Sequence, residues 1–191
     1  STGPRPEVEA RKEIESHGVS VIEVSRTTGA FTVNKASNFN RRITANTMVE
    51  ISGPVRGTKY VKTKFSPGGT ATRGTINNCG HGYTPWGTYL TAEENWAGYF
   101  RRATGDDANR TPKENTAMLR NGIRPGNGGN NRWTSVVPAD ANSTEFSRWD
   151  ITVNTAQPTD GTGDFRNEAN TFGYIVEIDP YNPLATPRKR T

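Results

Sequence analysis

The stretch that decides the reading of this chain is Gly74–Phe100, GTINNCGHGYTPWGTYLTAEENWAGYF. It holds the only cysteine, Cys79, together with Trp86, Trp96 and the adjacent carboxylates Glu93 and Glu94. Thr75-Ile76-Asn77 and Tyr89-Leu90-Thr91 carry β-branched or aromatic residues, while Gly80, Gly82, Pro85 and Gly87 punctuate the space between them. That pattern predicts two strand ends joined by a rigid turn. Successive strand residues point to opposite faces, so Glu93 and Glu94 cannot both address one site unless the strand ends or bulges there. One carboxylate is expected to face the site and the other to support it.

A lone cysteine beside carboxylates admits three readings. Cys79 can be a small buried hydrophobe. It can supply a thiolate to a mixed metal site, since thiolate suits iron, zinc or copper and carboxylates suit harder cations. It can also act as a nucleophile with a histidine base, the weakest reading because only His17 and His81 exist.

Outward from this stretch the composition argues for short strands with polar connections. Only 31% of the 191 residues are hydrophobic, and there are 20 glycines and 12 prolines. Even with glycine counted in, the apolar share falls below the ~45–50% of ordinary domains. An all-β chain that borrows part of its core from elsewhere follows. The net charge of +5 favours an anionic partner. The basic residues are dispersed, however, and no segment interleaves aromatics with cations as a nucleic-acid platform does, so no nucleic acid is expected. One cysteine allows no internal disulfide, and no run of ~18 apolar residues predicts a membrane span.

Along the chain, Glu7–Ser16 allows a turn or two of surface helix, and Val19–Val24 pairs with Phe31–Val33 across Thr27-Thr28-Gly29. Arg41-Arg42 is expected to hold a loop through backbone carbonyls. Thr47–Ile51 is a strand, and Tyr60–Lys64 a short edge strand. Residues 101–148 are rich in Asn, Gly, Asp and Arg and predict a long polar insertion without a core of its own, ordered by hydrogen bonds or by calcium. Asp106-Asp107, Asp160 and Asp164 lack the calcium-loop spacing and read as solvated turn carboxylates. Trp149–Val153 is a strand, Asp160-Gly161 a turn, and FGYIVEIDP at 172–180 the clearest strand. Glu177 is the anomaly there, because a carboxylate between Val176 and Ile178 needs a cation or several donors if it is buried. The basic run Arg188-Lys189-Arg190 is expected to form an exposed end.

The run NNCGHGYTPWGTYLTAEENWAGYF, with HGVSVIEV, NRRITANT and GYIVEIDP in the same order, resembles the PhoX-type alkaline phosphatases over nearly the whole chain. The resemblance implies a six-bladed β-propeller whose channel holds ferric iron (Fe3+) and calcium (Ca2+). Residues 1–191 would supply about two blades plus the polar insertion, with the remainder of the propeller in further sequence, making this chain a fragment that is inactive alone. It implies a secreted phosphomonoesterase, periplasmic or extracellular, acting on phosphomonoester substrates. Carried onto this sequence, the metal ligands are Cys79, Glu94 and Glu177, with Glu93 as runner-up to Glu94, and Asn95 donates to a phosphate oxygen. Trp86 and Trp96 pack the loop. Ala92 departs from the family pattern, where a second cysteine is common. The alternative is a non-catalytic β-propeller module that binds protein or glycan, with an empty channel.

Overall fold

The computed structural model describes residues 3–137 and 143–191; the portion of the expected insertion at 138–142 lies outside them. These residues are rich in strands, and the α-helices among them are two short segments, α1 (Glu7–Ser16) and α2 (Pro112–Arg120). The central feature is an open six-stranded sheet. Its strands are β5 (Met48–Ser52), β6 (Ala71–Arg73), β7 (Asn78–Tyr83), β8 (Tyr89–Glu93), β9 (Ile175–Ile178) and β10 (Arg188–Arg190), in the order β6-β5-β10-β9-β8-β7. All neighbours pair antiparallel except β10 with β5, which run parallel.

Two satellite ribbons flank the sheet. β1 (Val19–Val21) pairs with β4 (Arg41–Ile43), and β2 (Val24–Thr27) pairs with β3 (Ala30–Val33). The expected hairpin therefore begins later than predicted, at Val24, because Val19–Val21 turns to β4 instead. Thr28 and Gly29 both take positive φ, 53° and 89°, in the two-residue turn. That twist matches antiparallel strands. Arg41 donates to the carbonyls of Phe39 and Asp179, and Arg42 to those of Glu15, Ser16 and His17, as expected of loop-holding arginines.

Alternation divides the sheet into two faces. Thr91, Val176, Lys189 and Ile51 lie in register on the buried one. Leu90, Glu177, Arg188 and Glu50 lie in register on the other. Val49, Val176 and Ile178 join Ile43 in a small apolar cluster. The larger core lies apart from it. It gathers Ala10 and Ile14 of α1 with Phe100, Met118, Ile123, Trp133, Phe146, Trp149 and Phe172.

Several expectations change here. Helix α1 is a full ten residues because Ala10 and Ile14, four apart, bury completely on one face. The segment after Arg101 does contribute to a core, through Met118, Ile123, Trp133, Val136 and Phe146. A buried triad organises it: Asp106 Oδ2 accepts from Arg102 Nε at 2.7 Å and Arg110 Nε at 2.6 Å, while Oδ1 accepts from the Val153 amide at 2.7 Å. Asp106 is therefore no solvated turn carboxylate, and Asp164 is paired with Arg166. Tyr60 lies in a 3-10 turn, Lys59–Val61, and Trp149 closes another, Ser147–Trp149; neither begins the strand expected there. Arg188–Arg190 is an interior strand, and Lys189 is wholly buried. Its Nζ donates to Glu93 Oε1 at 2.8 Å and to the Thr171 carbonyl at 2.7 Å, and stands over the Phe172 ring. Composition alone concealed this, because a charge that buries with its partner looks like any surface charge.

Candidate functional site

Cys79 sits where β7 leaves regular register. Asn78 opposes Glu93 but His81 opposes Thr91, so three steps along β7 match two along β8. The extra residue is a β-bulge, a device that bends a strand and re-aims its side chains. The bulge does not depend on glycine: neither Gly80 nor Gly82 has positive φ, and a Cβ on Gly80 would only meet Ala92 at ordinary contact distance.

Beyond the bulge Asn77 and Glu94 lock together. The Glu94 amide donates to the Asn77 carbonyl at 3.0 Å, and Asn77 Nδ2 donates to the Glu94 carbonyl at 2.7 Å. Asn77 and Asn95 both adopt left-handed backbone, φ 48° and 46°. Such conformations cost energy for a residue with a Cβ, least so for asparagine. The Asn77 amide in turn donates to Nδ1 of His17 at 3.2 Å. His17 packs edge-on against Tyr99 and Trp133. Burial lowers its pKa below 6.5, with Glu13 partly opposing. A neutral imidazole from the main core thus fixes the backbone of the Cys79 loop.

The two adjacent glutamates separate as alternation requires. Glu93 turns inward, where Oε2 accepts from the Gly173 and Tyr174 amides at 2.9 and 3.2 Å and Oε1 from Lys189. Glu94 turns out beside Cys79, and both are exposed. The Glu94 carboxylate accepts from the thiol and raises the Cys79 pKa, its negative charge adding to the effect. Asn95 is exposed at the start of the 3-10 turn Trp96–Tyr99. Cys79, Glu94 and Asn95 therefore form one exposed corner.

Glu177 lies elsewhere on the sheet. It opposes Leu90, four residues along β8 from Glu94, a separation of about 13 Å at the usual strand rise. Its Oε1 accepts from Trp86 Nε1 at 2.9 Å and Thr88 Oγ1 at 2.6 Å, and Oε2 pairs with Arg190. Burial would raise its pKa; the Thr88 hydroxyl, the Trp86 indole and the Arg190 guanidinium outweigh that and hold it at about 2. The anomaly seen in the sequence is thus a buried carboxylate met by several donors. Trp86, itself largely exposed, ties the Thr84–Thr88 turn to β9 through this contact.

The corner offers a soft sulfur and a hard oxygen side by side, the donor types of a mixed cation site. Among the described residues no group of three or more His, Cys, Asp or Glu converges as a metal site would require. Cys79 and Glu94 are the two such donors that this corner brings together, too few by themselves for a complete site. His81, the residue two along from Cys79, stacks on Tyr89 and makes no contact that suits a base. Sequence reasoning missed the roles of His17 and Lys189; the only signals were a histidine followed by a glycine and a lysine at the centre of a three-residue basic run.

A search of curated proteins gives no match. The family described as Alkaline phosphatase PhoX matches residues 2–191. Among solved structures the chain is similar to Pseudomonas fluorescens PhoX in complex with vanadate, a transition state analogue. The two share 34% identity with a TM-score of 0.75, over 98% of this chain and 28% of that chain.

Proposed function

Because this chain belongs to the PhoX alkaline phosphatase family, we propose that it is part of a metal-dependent phosphomonoesterase whose active centre includes the Cys79–Glu94 corner. The chain spans about 28% of the length of the solved structure it matches, so the remaining strands of a six-bladed propeller, and the other ligands, would come from further sequence. The observation that carries the reading is the bulge that turns a thiol and a carboxylate outward together, with Asn95 beside them.

In this reading Cys79 and Glu94 would hold a cation, with iron and calcium as the metals the thiolate and carboxylate donors suit. When bound, such cations neutralise charge on phosphoryl oxygens during an in-line displacement. The residues of this chain prepare for that. Glu94 favours the protonated thiol of Cys79, which would have to give up that proton to serve as a ligand. The Asn77–Glu94 backbone clasp keeps the two donors from drifting apart, and the left-handed Asn95 presents an amide that can donate to a phosphate oxygen. Glu177 enters the cluster only if Trp86 and Arg190 release it. Export to the periplasm or cell exterior accords with the family; no helix among the described residues is long and apolar enough to cross a membrane.

The test is metal analysis and phosphatase assay, with p-nitrophenyl phosphate, of the full-length protein and its Cys79→Ala and Glu94→Gln variants. Loss of bound metal with a fall in turnover of about 100-fold or more is expected, given that even the outer partners of metal ligands matter 10–100-fold. Variants that keep metal content and turnover would overturn the assignment.

A further inference from the structure

A cleft of about 420 Å³ opens between α2, the Lys59–Val61 turn and the Phe172–Tyr174 segment. Its volume lies within the roughly 300–1,000 Å³ of small-molecule sites. The walls are aromatic and apolar: Tyr60, Val61, Trp96, Met118, Phe172 and Tyr174. They are held in position. Asn170 Nδ2 donates to the Tyr60 carbonyl at 2.9 Å, and the Tyr174 hydroxyl donates to the Asn170 carbonyl at 3.1 Å. The Trp96 indole lies so close to Gly173 that a Cβ there would fall 2.3 Å from Nε1.

Cations outnumber carboxylates at the mouth: Arg110, Lys113 and Glu114 line it, and Lys59 adjoins Tyr60. Lys59 Nζ stands 5.3 Å and Lys113 Nζ 5.6 Å from the centre of the Tyr60 ring. Burial would raise the Glu114 pKa; the Thr111 hydrogen bonds hold it down, and Lys59 lies near enough to help, behind their stronger effect. Glu114, the carboxylate on the same wall, is turned to Thr111, where Oε2 accepts from the amide at 2.8 Å and the hydroxyl at 2.7 Å. Two ammonium groups thus flank the Tyr60 ring beside an aromatic cleft, while Glu114, the carboxylate of its wall, hydrogen-bonds to the helix cap.

We propose that this cleft binds a small aromatic anion, its ring between Trp96, Tyr60 and Tyr174 and its charge between Lys59 and Lys113. Aromatic walls favour a flat ring by area and by offset or edge contacts. The lysines select a negatively charged ligand over a neutral one of the same shape. The site is separate from the Cys79–Glu94 corner and does not depend on the phosphatase reading.

The experiment uses the full-length protein and 2-naphthoate, which has no phosphoester to hydrolyse, with binding followed by calorimetry and by ligand-observed NMR. Saturable binding is expected, weaker by about fivefold or more for neutral 2-naphthylmethanol and for the Lys59→Met/Lys113→Met variant. Ala117→Phe, which places a ring in the cleft from an exposed helix position, should abolish binding while the melting temperature holds. Absence of saturable binding, equal affinity for the alcohol, or undiminished binding in the Ala117→Phe protein would each overturn the proposal.

Discussion

At the level of single residues, the corner depends on proton positions. His17 accepts the Asn77 amide through Nδ1, so that nitrogen must carry no proton. Its pKa is depressed in the folded protein, chiefly by burial. Between that depressed value and 6.5 the unfolded chain binds the extra proton and the folded one resists it. Stability is therefore fully present above 6.5 and is lost progressively as the pH falls below it. Thermal unfolding recorded from about pH 7 down to about pH 5 should show a falling midpoint, with a shallower slope in His17→Gln. An unchanged slope in that variant would remove His17 from this role. The sequence offered the residue types of the corner, because cysteine and paired carboxylates are visible in any order. It did not offer the imidazole, since a histidine 60 positions away declares nothing about the amide it will accept.

Among the elements, α2 shows most clearly what was legible and overlooked. Thr111-Pro112-Lys113-Glu114 is a full helix-start signal: Thr111 receives the Glu114 amide, Glu114 returns to the Thr111 amide, and Pro112 takes a first-turn position where no amide is needed. It was masked by the Asn- and Gly-rich composition around it. Thr111→Ala should cost about 1 kcal/mol in chemical denaturation and loosen α2. It should also weaken the wall of the aromatic cleft. β7 begins at Asn78, just past the strand end expected at Thr75–Asn77, for a different reason. The bulge breaks the period-2 alternation on which strand reading relies, so Asn78–Tyr83 looks like a turn. The strand Ile175–Ile178 was plain because its β-branched run is unbroken, and Glu177 stood out against it as the residue needing partners.

For the molecule as a whole, two cores divide the work. The sheet is anchored by a small aliphatic cluster, while the larger aromatic one joins α1 to the segments before and after the sheet's central strands. Trp149 is fully buried at the heart of the latter, against Trp133, Phe100 and Phe172. Trp149→Ala should cost about 3–5 kcal/mol, measured by denaturant titration, with the pH response of the His17 region altered in step. A loss below about 1 kcal/mol would mean that this cluster is not the main stabilising unit. A low apolar fraction made such a core hard to foresee. It is built from few, large side chains drawn from a segment that otherwise reads as polar, and its buried cations, Arg102 and Arg148, pair with Asp106 and Glu168, with Arg148 Nε left without a hydrogen-bond partner among the described residues.

The parallel pairing of β10 with β5 joins Arg188 to Glu50 across most of the polypeptide. During synthesis, β5, β8 and β9 have all been made before the strand that separates them emerges. At about 5–20 residues per second, the nascent chain therefore spends roughly one to two seconds with two incomplete half-sheets whose inner edges are open. Long-range pairings of this kind are slow to form, and an open edge recruits whatever strand is near. The ribosome-bound intermediate is thus a stage at which chaperone capture matters, and a pause in translation just before Arg188 would prolong that exposure.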